Sequence, residues 1–163
     1  MLASDTQAIA DYLKQVMIAT HQLTEDNIED RFAETRDTLC YATNDNQSAV
    51  YGLLETAADL AIVVGGYNSS NTSHLVELCE QELPTYYIDS AAKIVSANEI
   101  LHFNFHTKQE LTTTGFLPHT SPIKILISSG ASCPDAIVES VIAKLLSLTG
   151  AEKSLEEMLL SLQ

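Results

Sequence analysis

Ile9, Tyr12, Leu13, Val16 and Met17 recur at helical spacing behind Ser4 and Gln7, which stand in capping-box positions; this predicts an amphipathic helix over 5–19. Ile28 and Phe32, four apart, predict a weaker helical turn over 26–32. The segment from Asp37 to Asn44 is polar around an apolar centre and reads as a strand running into a loop. Val50, Leu53, Leu54 and Ala57 then share one face, predicting a helix over 47–58. Leu60 to Val64 is continuously apolar and closes on Gly65-Gly66, the pattern of a strand covered on both faces in a parallel sheet. A polar loop and a helix over 72–82, with Leu75, Leu78 and Cys79 inward, lead to Pro84 and a strand over 85–88. Strand, loop, helix and strand in that order make a β-α-β unit.

Residues 90–122 mix alternating and continuous apolar character, with Pro118 and Pro122 marking a loop. Ile123 to Ile127 reads as a further buried strand, ending in Ser128-Ser129-Gly130. Ser132 and Asp135 stand in capping-box positions with Pro134 in the first turn of the helix to come. That helix carries a strong stripe of Ile137, Val138, Val141, Ile142, Leu145 and Leu146 and stops at Gly150; 152–163 reads as a short amphipathic tail. Strands alternating with helices predict an α/β fold.

Composition narrows what such a fold is for. Twenty-two acidic against eight basic side chains leave a net charge of −14 over 163 residues. Nucleic-acid and anionic-membrane surfaces need clustered Lys and Arg, so neither partner is expected. No apolar run approaches the ~20 residues of a membrane helix, and no signal peptide is visible behind Met1. Cys40, Cys79 and Cys133 are odd in number and widely spaced, which fits a reducing compartment better than a disulfide framework.

Two strand-to-helix junctions are rich in hydroxyls and small residues: Gly65 to Thr72 and Ser128 to Ser132. Backbone N–H groups at a helix N-terminus point outward with partial positive charge, and Ser and Asn side chains add donors at adjustable distance. Such loops can hold a phosphate or diphosphate without many cations. The same residues are also the preferred helix caps, which is the competing reading of each loop taken singly; two in one small domain favour a ligand. Neither loop matches a dinucleotide or P-loop fingerprint. Cys40 stands in a polar segment and is a candidate ligand or nucleophile, though an inert small hydrophobe is the alternative. Cys79 lies on a core-facing stripe, Cys133 opens a helix with no base nearby, and the histidines show no metal-binding spacing.

Four segments carry a more specific signal: Asp37 to Thr43, Val63 to Leu75, Pro84 to Ser90 and Ser129 to Asp135. In sequence, order and separation they resemble the 4-hydroxy-3-methylbut-2-enyl diphosphate reductase family, in particular its plant and cyanobacterial branch. The resemblance implies the last step of the non-mevalonate isoprenoid route, a two-electron reductive dehydroxylation giving isopentenyl and dimethylallyl diphosphate. It implies a three-layer parallel-sheet α/β architecture belonging to a trefoil of three domains around a [4Fe–4S] cluster held by three cysteines. By position, Cys40 matches the third cluster cysteine, Ser69, Ser70 and Asn71 match the diphosphate-binding Ser-Ser-Asn, and Ser132 matches the serine of Gly-Ala-Ser. Cys79 and Cys133 match no ligand position.

The family's other two cluster cysteines, its active-site histidines and its proton-donating glutamate fall in an amino-terminal half that this sequence lacks. Asn46 stands where relatives often carry Arg, and Cys133 where Thr or Ala is usual. The resemblance thus implies the carboxyl-terminal portion of the enzyme: residues 1–36 closing the preceding domain, 37–122 with the cluster cysteine and diphosphate loop, and 123–163 with Gly-Ala-Ser and the tail. Implied partners are the isoprenoid diphosphate substrate, ferredoxin or flavodoxin as electron donor, and the absent half of the enzyme, in a bacterial cytoplasm or a plastid stroma. No catalytic residue is expected in this chain, and alone it is expected to be inactive. The alternative is a non-catalytic diphosphate-binding α/β module.

Overall fold

The protein is described by a computed structural model covering residues 3–24, 27, 28, 31, 32 and 41–150. Two compact units divide after Asp45, Met1–Asp45 and Asn46–Gln163.

In the first unit α1 spans Ala3–His21. The predicted helix forms, starting early enough to place Ser4 inside the first turn rather than at the cap. Its apolar stripe stays in solvent: Ile9, Tyr12, Leu13 and Val16 are all exposed, Tyr12 by 65%. A short turn follows in which the Arg31 and Phe32 amides donate to the Ile28 carbonyl, and the Ile28 side chain is buried. The expected segment over 37–40, with Cys40, lies outside the described residues, as does the tail over 152–163.

Helix α2 runs Tyr41–Leu54, so the strand expected over 37–44 is replaced from Tyr41 onward by helix. A short polar segment with one apolar centre carries too little periodicity to separate the two conformations.

The second unit is organised by β1 (Leu60–Val64), α3 (Ser70–Glu80), β2 (Thr85–Ile88), β6 (Ile125–Ser129) and α4 (Asp135–Thr149). The sheet order is β2-β1-β6, parallel throughout, with Val64 in register with Ile88 on one side and Ser129 on the other. All five β1 residues are buried, as the unbroken apolar run predicts for a central parallel strand. Side chains alternate across the sheet. Leu60, Ile62, Val64, Tyr86 and Ile88 pack with Val141 and Leu145 of α4, while α3 buries Leu75, Val76, Leu78 and Cys79 against β1 and β2. The unit is a three-layer α/β structure, and the sheet runs across the 122/123 boundary expected from sequence.

Between β2 and β6 the chain makes a 3₁₀ turn at Ala91–Lys93 and then an antiparallel meander: β3 (Ile94–Ser96), β4 (Glu99–Asn104) and β5 (Gln109–Thr114). Ile94 and Ile100 close the α4 side of the core together with Phe116 and Leu117. The meander is the element that sequence periodicity misses. Its β5 strand, Gln-Glu-Leu-Thr-Thr-Thr, is largely exposed on both faces, so no apolar alternation marks it.

Candidate functional site

In an open α/β sheet, ligands bind outside the carboxyl ends of the strands where successive connections leave for opposite faces. Here that point lies between β1 and β6, because β1 feeds α3 on one face and β6 feeds α4 on the other. The two loops are drawn together by backbone hydrogen bonds continuing the sheet: the Gly65 amide donates to the Ile88 carbonyl and the Gly130 amide to the Val64 carbonyl, both at 3.0 Å.

The two glycines are required by close approach. A Cβ on Gly65 would stand 2.7 Å from Thr72 Oγ1, and one on Gly130 only 2.1 Å from the same oxygen and 3.7 Å from Ser69 Oγ. Thr72 is thus wedged between the two loops, and Ser69 lies beside the second of them. These contacts join the two hydroxyl-rich junctions that the sequence singles out.

Ser69 is the N-cap of α3, extended at φ −84° and ψ 113°, and its Oγ accepts from the Thr72 amide at 3.2 Å. The capping role is therefore real. Ser70 opens the helix and is exposed, with its backbone at the positive end of the macrodipole. Asn71 behaves differently from a cap: both polar atoms of its side chain are buried and have no hydrogen-bond partner among the described residues. Thr72 Oγ1 is likewise buried without a bond of acceptable geometry. Buried polar atoms are almost always paired, so orphans clustered at a helix mouth mark a place where a ligand or water completes the bonding.

The first turn of α3 carries no acidic side chain, whereas α4 already has Asp135 at its own start. Of these two helices, α3 is the one whose N-terminus has no carboxylate beside it. The capping box expected at Ser132 does not form: the N-cap of α4 is Pro134, with no side-chain cap bond. Ser132 is exposed two residues beyond Gly130.

Two residues outside the loops, Tyr87 and Asn46, hold the mouth through contacts that the sequence does not show. Tyr87, buried in β2, donates its hydroxyl to the Gly66 carbonyl at 2.5 Å, and burial pushes its pKa up to about 12, so it stays a donor. Asn46 of α2 donates from Nδ2 to the Ser129 carbonyl at 3.1 Å, fixing the end of β6 just before Gly130. A side chain that binds the carbonyl of a distant residue leaves no periodic trace, so neither contact could be found from the pattern.

For an iron–sulfur cluster the described residues do not fit. No group of three or more His, Cys, Asp or Glu among them could hold a metal ion. Cys79 is fully buried in α3 with its thiol pushed up to about 11 by burial, and Cys133 is raised by burial and by Asp135. Iron ligation needs thiolates, which both environments disfavour. Cys40 lies outside the described residues. No helix among the described residues is long and apolar enough to cross a membrane.

Residues 1–146 match the LytB protein family. The chain is 38% identical over 155 residues to the 4-hydroxy-3-methylbut-2-enyl diphosphate reductase of Gloeobacter violaceus, covering 94% of this chain and 36% of that protein. It is 42% identical over 147 residues to the reductase of the same name from a Picosynechococcus, covering 89% and 35%. A solved structure described as that reductase, "the Terminal Enzyme of the Non-Mevalonate Pathway", aligns with TM-score 0.47 and 29% identity over 68% of this chain and 32% of its own. The chain spans about a third of the length of the curated relatives it matches.

Proposed function

Because the chain belongs to the LytB protein family, we propose that it is a portion of a 4-hydroxy-3-methylbut-2-enyl diphosphate reductase and supplies its diphosphate-holding loops. The observation that carries this reading is the pair of orphaned polar atoms of Asn71, buried at the open N-terminus of α3 beside Ser69 and the Gly130 loop. Ser69, Ser70, Asn71 and Ser132 then bind the substrate diphosphate through hydroxyl, amide and backbone N–H groups. In a chain of charge −14 these neutral donors attract the anion locally without a field of cations.

A [4Fe–4S] cluster would supply the electrons and the Lewis acid for reductive dehydroxylation to isopentenyl and dimethylallyl diphosphate, with ferredoxin or flavodoxin upstream. In this reading Cys40 offers one of its three cysteine ligands, and the others come from the remaining length of the enzyme. The exposed stripe of Ile9, Tyr12, Leu13 and Val16 is the surface assigned to that remaining polypeptide, since contiguous apolar side chains on one helix face mark an interaction surface. The proposed setting is a bacterial cytoplasm or plastid stroma.

Titration calorimetry with inorganic pyrophosphate tests the anion site directly. The chain is expected to bind it, and Ser70→Ala to weaken binding without altering the fold. No binding by the unsubstituted chain would refute the assignment of these loops.

A further inference from the structure

The side chain of Tyr67 joins the β1–α3 loop to the meander. Tyr67, two residues before the N-cap Ser69, stacks on Phe103 of β4 with ring centroids 4.4 Å apart and planes 11° from parallel. It meets Tyr87 edge-on at 5.2 Å, and Tyr87 in turn meets Phe103 edge-on at 5.9 Å, closing a three-ring cluster. The Tyr67 hydroxyl donates to Glu110 Oε1 of β5 at 3.4 Å. The same carboxylate pairs with Lys93, whose ammonium lies 5.9 Å from the Tyr67 ring centroid. Burial, then the Asp89 and Glu110 carboxylates, raise the Tyr67 pKa, so it remains an uncharged donor.

These contacts hold both sides of one short turn. Tyr87 pins the Gly66 carbonyl from the parallel sheet, while Tyr67 is clamped from the meander, and Ser69 donates its amide back to Gly66 at 2.9 Å. Gly65 and Gly66 have little intrinsic preference for one conformation, so the turn must be ordered from outside. Aromatic pairs in these geometries contribute beyond their buried area, and the 3.4 Å hydroxyl contact is long for a hydrogen bond.

We propose that Tyr67 is a positioning residue: the β4–β5 hairpin, acting through Phe103, fixes the turn that presents Ser69, Ser70 and Asn71, and so sets the affinity of the anion site. The inference rests on the diphosphate reading of that site. The ring carries the effect and the hydroxyl adds little. The hairpin, which contributes no residue to the mouth, thereby acquires a role in binding.

The test uses the full chain, with amide hydrogen exchange followed at Thr72 and Ser73, whose N–H groups bond Ser69 Oγ and the Ser69 carbonyl, and at Val141 of α4 as an internal reference. Tyr67→Ala is expected to speed exchange at Thr72 and Ser73 by about tenfold relative to Val141. It is also expected to weaken pyrophosphate binding several-fold, while Tyr67→Phe restores both properties. Phe103→Leu, made from the hairpin side, is expected to loosen the same two amides, which keeps the test decisive if Tyr67→Ala folds poorly. Equal acceleration at all three amides, or none at Thr72, would overturn the clamp. If the unsubstituted chain does not bind pyrophosphate, the anion reading falls and the positioning role with it. If it binds and Tyr67→Ala binds equally well, only the positioning role is overturned.

Discussion

The hydroxyl of Thr72 occupies the space that a side chain on Gly130 would need: a Cβ there would lie 2.1 Å from Thr72 Oγ1. Thr72 comes from the helix after β1 and Gly130 from the loop after β6, so this contact sets how closely the two loops can approach. Thr72 is fully buried and helical, so it has little room to move aside.

Gly130→Ala is therefore expected to cost about 1–3 kcal/mol in a urea melt, the usual range for overpacking a filled site, and to weaken pyrophosphate binding. Adding Thr72→Ala removes the clashing oxygen and is expected to recover most of the stability. An unchanged midpoint for Gly130→Ala would show that the loops are not held by this contact.

Asn71 separates a structural from a ligand-binding role. Its buried polar atoms make no bonds to the other described residues, so Asn71→Ala forfeits none of those. We expect a stability change below about 1 kcal/mol alongside a loss of about tenfold or more in pyrophosphate affinity. Large destabilisation with affinity intact would place Asn71 among packing residues instead.

His102 gives the fold a pH dependence of known sign. Burial lowers its pKa from the ordinary 6.5, with Glu80 opposing more weakly, and its Nε2 lies 2.9 Å from Thr113 Oγ1. With the folded pKa below the unfolded one, the unfolded chain binds the proton first. The His102 contribution is present above pH 6.5 and is lost as pH falls from there through the folded pKa. Melting temperature measured across that window should decline for the unsubstituted chain and decline less for His102→Gln.

Cluster assembly is the fourth test. With Cys79 and Cys133 unsuited to iron, anaerobic reconstitution of this chain alone should not yield stoichiometric four-iron, four-sulfide uptake. Iron and sulfide analysis with visible absorption checks it. A full complement of iron on the isolated chain would contradict the shared-ligand reading.

The strongly apolar elements were readable from the chain. Leu60 to Val64 forms the central strand because continuous apolar residues are stable only between two covering layers, and the Ile137 to Leu146 stripe forms α4 because apolar residues at helical spacing bury one face, Val141 and Leu145, in the core. The two loops that meet at the sheet end were also readable as candidates, since Gly, Ser and Asn after a buried strand carry their chemistry in their identity. Elsewhere local pattern failed. Tyr41 to Asn44 is helical where a strand was expected, the Ser132 cap is displaced to Pro134, and the β5 strand has no apolar signature at all.

Sequence by itself determined which segments must be buried, which loops could bind an anion and which family the chain resembles, because each of these depends on residue identity and near neighbours. Only the tertiary structure decided that Thr72 wedges between Gly65 and Gly130, that Asn71 is left with unpaired polar atoms, and that Tyr67 is clamped by Phe103. Thr72 and Gly130 are 58 positions apart and Tyr67 and Phe103 are 36 apart. Such relations arise from parallel strand register and ring packing, which exist only once the sheet has brought distant segments side by side.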